Sequence, residues 1–236
     1  MPVYKIICFL DDVLDRILAL AFTVLLLVGI YFIYDTAFIY YHASSARVEF
    51  YRPGTNSSEL EGVRPFTDDY AAWLKIDDTK IDFPVMQGET NSKYLNMDPY
   101  GDYLLAGSIF LDFRNARDFS DSYSLIYGHH MANGVMFGAL DSFYDKEYFY
   151  KHLKGSLTTE KTEYTLRVFA LLTVEVNEDR LFDPQGSEVA IQVARENSVY
   201  YMDPENDHVI ALSTCKDPGS TTRTVVLATI TEKERR

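Results

Sequence analysis

Three features of this sequence predict a mainly β fold, an antiparallel barrel or sandwich with peripheral helices, preceded by one N-terminal transmembrane helix. Aromatic residues are abundant, with 18 Tyr and 15 Phe against 12 Gly and 8 Pro, and rings suit a half-buried pleated surface. Short to medium apolar runs separated by turn signals recur along most of the chain, the pattern of closed or stacked antiparallel sheets. Near the N-terminus, Ile17 to Tyr34 runs without a single charge. The 236 residues, 47% hydrophobic and 24% charged, match ordinary globular composition and suffice for one domain plus an appendage. A formal charge of −13 argues against a nucleic-acid partner, because phosphate binding runs on clustered Lys and Arg and no such run exists.

The elements follow in chain order. Residues 1–16 form a leader, and 17–34 a span of about 27 Å that crosses a hydrocarbon core with help from flanking apolar residues. A cleaved signal peptide is the alternative; its apolar region would be shorter, although His42-Ala43-Ser44-Ser45-Ala46 offers small residues to a peptidase. Lys5 and Arg16 in the leader favour a cytoplasmic N-terminus, with everything after Asp35 outside, since orientation follows basic residues rather than net charge. Residues 35–67 read as a linker and N-terminal helical region, with a turn-rich Arg52-Pro53-Gly54-Thr55-Asn56 stretch. The domain proper covers 68–236. Its first strands flank Asp77-Asp78-Thr79, at Trp73–Ile76 and Ile81–Met86, and others are expected at Ser108–Leu111, Tyr123–Tyr127, Gly155–Glu160, His208–Thr214 and Arg223–Thr231. The longest is Tyr164–Val176, where Tyr164, Leu166, Val168, Ala170, Leu172 and Val174 share one face. Helical spacing is expected in pieces over Met136–Phe149 and over Ser187–Asn197, with Ser187 as the cap.

Chemistry-bearing residues concentrate at two strand ends. Leu212-Ser213-Thr214-Cys215 closes one apolar strand before the Pro218-Gly219 turn, and Leu125-Ile126-Tyr127-Gly128-His129 closes another. The anchored topology puts Cys8 and Cys215 on opposite sides of the membrane, so they cannot pair. A lone exported thiol is then either a small buried hydrophobe, a link to a partner chain, or a reactive cysteine. With His129 it makes a possible nucleophile and base. Arg223 opens the last strand eight residues after Cys215; a hairpin there brings a permanent cation back toward the sulfur, favouring thiolate and an oxyanion. Alone, Arg223 would be a solvated strand-end charge. His129 and His130 are adjacent in extended chain and point to opposite sides, so no metal site is expected, and His130 reads as a surface histidine.

These segments together resemble the sortases, membrane-anchored cysteine transpeptidases of Gram-positive bacteria. Trp73-Leu74-Lys75-Ile76, Ile81 to Gln87, Asn91 to Leu95, Gly107-Ser108-Ile109-Phe110-Leu111-Asp112 and Met136-Phe137-Gly138 are similar to the class B branch in order and spacing, as is the helical insertion near Ser187–Asn197. The resemblance covers about residues 68 to 231, and departs in a Lys216–Thr222 connection that is short for class B. It implies a closed eight-stranded β-barrel with Cys215 as nucleophile, His129 as acid and base, and Arg223 as the oxyanion or substrate-positioning group. Asn91, Leu95, Ser213 and Thr214 would line the motif site, and no metal or cofactor is implied. The implied substrate is a secreted surface protein or pilin with a C-terminal sorting motif related to Asn-Pro-x-Thr or Leu-Pro-x-Thr-Gly, cleaved after Thr through a thioester. The acceptor would be a cell-wall precursor amine or, in pilus assembly, a pilin Lys. A cysteine hydrolase of peptidoglycan and a tethered binding barrel with an inert thiol are the rivals from other classes.

Overall fold

The computed structural model describes residues 2–44, 52–53, 64–183, 186–214 and 221–233. Helix α1, Pro2–Ala43, is one of two units into which the chain divides. Its 42 residues extend about 63 Å at 1.5 Å each, and it is long and apolar enough to cross a membrane. Most of the stretch expected as linker, 45–51 and 54–63, lies outside the described residues.

The second unit is built on strands β1 Tyr70–Ile76, β2 Asp82–Met86, β3 Ile109–Leu111, β4 Tyr123–Gly128, β5 His130–Met131, β6 Val135–Met136, β7 Lys154–Thr158, β8 Glu163–Glu175, β9 Ser198–Tyr201, β10 Val209–Thr214 and β11 Thr222–Glu232. The principal sheet runs β11-β10-β4-β3-β2-β1-β7-β8-β9, and β11 also pairs with β8. That pairing closes eight strands into the expected barrel and leaves β9 outside, hung on β8. Every expected strand is present within a few residues of its predicted ends; β9 and the two-residue β5 and β6 are additions too short to show periodicity.

The purely antiparallel pattern expected from the residues does not hold. β2 pairs with β3, and β4 with β10, in parallel. Parallel neighbours need a long crossover, which residues 87–108 supply for the first pair and the whole stretch between Gly128 and Val209 for the second. Strands with parallel neighbours are covered on both faces, and β4 and β10 are buried at every position. The continuous apolar runs Leu125–Tyr127 and Val209–Leu212 are the sequence signature of that burial.

In β8 the expected alternation breaks at one residue. Ala170 pairs with Leu227 and Val168 with Ala228, so Phe169 has no opposite number in β11 and forms a bulge, which re-aims the side chains beyond it. Helix α2, Lys146–Lys151, is capped by Asp145, whose carboxylate accepts from Tyr148 N at 2.7 Å. Helix α3, Asp179–Phe182, follows β8, and α4, Ser187–Asn197, packs on the core through Ala190, Val193 and Ala194. Ser187 is not the cap predicted for it: Gly186 holds that position, at φ +145°, and Ser187 is the buried first helical residue.

Candidate active site

Barrel topology gathers one rim. The parallel register pairs Ser213 with Tyr127 and Thr214 with Gly128, so β4 and β10 leave the sheet side by side, and the residues next in sequence are His129 and Cys215. β11 returns antiparallel to β10, with Ser213 opposite Val225 and Thr224 N donating to Thr214 Oγ1 at 3.2 Å. Arg223 at the start of β11 pairs with Val174 near the end of β8. Cys215 and most of the Lys216–Thr222 connection lie outside the described residues. Gly128 is required at its strand end, because a Cβ there would lie 2.8 Å from Phe137 Cγ and closer still to Ile109 Cδ1.

His129 is half-buried and held from two sides. Its carbonyl accepts from Phe137 N at 3.0 Å, and its Nε2 lies 2.8 Å from the Leu95 carbonyl oxygen. A carbonyl can only accept, so Nε2 carries hydrogen and Nδ1 is the nitrogen left for chemistry. Leu95 ends a 3-10 turn, Lys93–Leu95, and Ser108 N donates to Tyr94 O at 2.9 Å, pinning that turn to the strand start at β3. Gly107 makes this approach feasible: its φ is +60°, and a Cβ would stand 2.5 Å from Leu95 O and closer to Tyr94 O. His130 turns the other way, with Nε2 2.7 Å from Asp141 Oδ2 on the exposed side.

Arg223 is half-buried. Its guanidinium carbon sits 4.3 Å from the centroid of the Phe182 ring, and its Nε is buried with no hydrogen-bond partner among the described residues. The four residues expected to line a motif site divide. Leu95 packs on the core and touches His129 through its carbonyl. Ser213 and Thr214 are buried in the last two positions of β10, the Ser213 hydroxyl donating to Thr214 O at 3.1 Å. Asn91 commits its amide elsewhere: Nδ2 donates to Asp112 Oδ2 at 2.9 Å, and Oδ1 accepts from Phe113 N at 3.0 Å.

Asp112, which sequence reasoning quoted only as the end of a motif, is a buried hub directly after β3. Its carboxylate accepts from Arg114 Nε at 2.9 Å, Arg114 Nη2 at 2.8 Å and Arg114 N at 2.9 Å. Burial opposes its ionisation, but the bonds from Arg114 and Asn91 and the guanidinium charge outweigh this and hold its pKa below the usual carboxylate range. Gly107 was likewise quoted only as the start of that motif, and Arg114 and Phe182 were not singled out. An i, i+2 Asp–Arg pair on a loop was the one visible hint; nothing in the sequence links Phe182 with Arg223. Among the described residues, no group of three or more His, Cys, Asp or Glu could hold a metal ion.

Comparison with known proteins agrees with this fold. A family model described as Sortase domain matches residues 74–231. Sortase B of Listeria monocytogenes is 32% identical over 169 residues, covering 69% of this chain and 69% of that protein. A Streptococcus pyogenes class B sortase involved in pilus biogenesis superposes with a TM-score of 0.64 at 36% identity, over 70% of this chain and 94% of the other. The Staphylococcus aureus sortase B–substrate complex aligns with a TM-score of 0.65 at 26% identity, over 83% of this chain and 94% of that one.

Proposed function

Because the chain belongs to the sortase family of cysteine transpeptidases, on its class B branch, we propose that it cleaves secreted proteins at a C-terminal sorting motif and transfers them to a cell-wall precursor amine. Cys215 passes its thiol proton to His129 Nδ1 and attacks the carbonyl carbon of the motif's Thr, Arg223 donates to the oxygen that gains charge, and Nδ1 hands that proton on to the departing amine. The C–N bond breaks, a Cys215 thioester remains, and the incoming amine passes a proton to Nδ1 as it displaces the sulfur. Leu95 takes the place of a triad carboxylate in this reading, as an uncharged carbonyl that orients the ring without drawing its proton. Leu95, Ser213 and Thr214 line the motif site, Asn91 serves it indirectly, through its bond to Asp112, and α1 anchors the chain with its N-terminus cytoplasmic and the barrel outside. The single observation that carries the assignment is the register of β4 with β10, Gly128 beside Thr214, which supports His129 and Cys215 as one site.

The full chain in detergent, given Asn-Pro-x-Thr and Leu-Pro-x-Thr-Gly peptides with and without amine acceptors, tests this by mass spectrometry. The expected result is an acyl adduct on Cys215 and amide product that rises with acceptor. Product insensitive to amine would mark a hydrolase, and no adduct with any peptide would leave the thiol inert. A second acceptor, the Lys of a pilin, is favoured by the likeness to a class B sortase involved in pilus biogenesis.

A further inference from the structure

We propose that Phe182 is a positioning residue for Arg223, a neutral platform that fixes the guanidinium while leaving its N–H donors free for the substrate. This rests on the reading of Arg223 as the oxyanion or substrate-positioning group. The chain carries 35 acidic residues against 22 basic ones, yet among the described residues the Arg223 cation lies against a ring face at 4.3 Å. A carboxylate would have taken two donors of the planar fork. An aromatic face attracts the cation through its quadrupole and takes none. The buried Arg223 Nε without a partner among the described residues marks a donor left open, and an open buried donor is costly unless a ligand meets it.

The platform is itself fixed. Arg114 Nη2 donates to the Phe182 carbonyl at 2.7 Å, and Arg114 Nη1 meets Asp183 Oδ1 at 3.2 Å. The same guanidinium is gripped by Asp112, which is fully buried and whose backbone N donates to Leu125 O of β4 at 2.8 Å. Phe182 ends the short helix after β8, which is also held by buried Leu181, whose carbonyl accepts from the Tyr123 hydroxyl at 2.9 Å. A chain of contacts thus runs from the barrel wall, through Asp112, Arg114 and Phe182, to Arg223, and none of these links places a carboxylate on the last guanidinium.

Transpeptidation kinetics of the full chain in detergent, on Phe182→Leu, Phe182→Tyr, Arg223→Lys, Arg223→Ala and the Phe182→Leu/Arg223→Lys double variant, test the proposal, with thermal melting of each as the control for folding. Phe182→Leu keeps the apolar bulk but not the ring face, and should lower kcat roughly 3-fold to 30-fold, the range of a partly desolvated cation–ring contact, with KM little changed. Phe182→Tyr should recover the rate to within about 2-fold, because its ring face is retained. In the Arg223→Lys background the loss on Phe182→Leu should shrink, since residues acting through one contact are not additive. A crippled Arg223→Ala beside a Phe182→Leu at the wild-type rate, or full additivity in the double variant, overturns the platform alone. Arg223→Ala at the wild-type rate overturns the reading of Arg223 on which it stands.

Discussion

At the scale of single residues, two backbone atoms govern the site more than most side chains do. The Leu95 carbonyl fixes which nitrogen of His129 carries hydrogen, and Gly107 keeps that carbonyl where it is. Gly107→Ala should therefore leave the barrel folded but displace the Tyr94–Leu95 peptide and lower kcat, on the order of 10²-fold for a displacement of about 1 Å; kinetics with parallel thermal melts check this, and a wild-type kcat would detach Leu95 from the chemistry. His129→Ala should be nearly as damaging as Cys215→Ala, whereas His130→Ala, losing its exposed contact with Asp141, should retain most activity. Arg223→Lys keeps a charge but loses the planar fork and the flat stacking surface, so a loss of roughly 10²-fold in kcat is expected, on the scale of other oxyanion donors. The division between His129 and His130 was legible in the sequence, because neighbours in extended chain must face apart. The Leu95 carbonyl was not, since a backbone oxygen is the same in every residue and only the fold decides which one a ring will meet.

At the scale of elements, strand content was legible and strand direction was not. Alternating and continuous apolar runs located the eight barrel strands, but periodicity says nothing of which strand lies beside which, and the parallel pairing of β4 with β10 joins segments 81 positions apart at Gly128 and Val209. That pairing builds the rim, so the site's geometry was hidden even where its residues were visible. Likewise Ser187 had the chemistry of a cap, but Gly186, in a backbone region only glycine enters freely, took the position. The Asp112 charge is one of the groups that hold the loop after β3, and a pH dependence follows. Asp112 has a folded-state pKa below its ordinary value, so its contribution to stability is fully present above the unfolded value of about 4 and is lost as pH falls through the depressed folded one. Asp112→Asn, which weakens the grip on Arg114, should cost about 1.5–3 kcal/mol at neutral pH, the scale of hydrogen bonds to charged groups. Melting temperatures of both proteins across pH should show that gap steady from pH 7 to about pH 4 and narrowing below; a gap that closes above pH 5 would mean the carboxylate is not held ionised.

At the scale of the whole molecule, the long apolar helix and the acidic barrel set what can reach the site. On the proposed topology, with α1 as an anchor and two leader cations inside, protease added to intact cells should remove the barrel, while a tag ahead of Pro2 should stay protected until the cells are opened; the reverse pattern would invert the orientation. The acceptor is the larger question. A wall precursor offers a small flexible amine, whereas a pilin offers a Lys on a folded surface, which needs an open approach to the thioester. A net charge of −13 draws a lysine-bearing surface by long-range steering. Steering is screened beyond about 8 Å at physiological salt, however, and a small flexible amine needs no folded surface to dock. Transfer to a short wall-type peptide amine is therefore expected to dominate. The check is one incubation of the enzyme with a motif-bearing pilin-like protein and such a peptide together, repeated at low and physiological salt. Peptide product without a ladder of linked proteins at either salt is the expected outcome. A ladder that persists at physiological salt with the peptide present would assign the chain to pilus assembly, because only specific docking, and not bulk charge, would survive the screening.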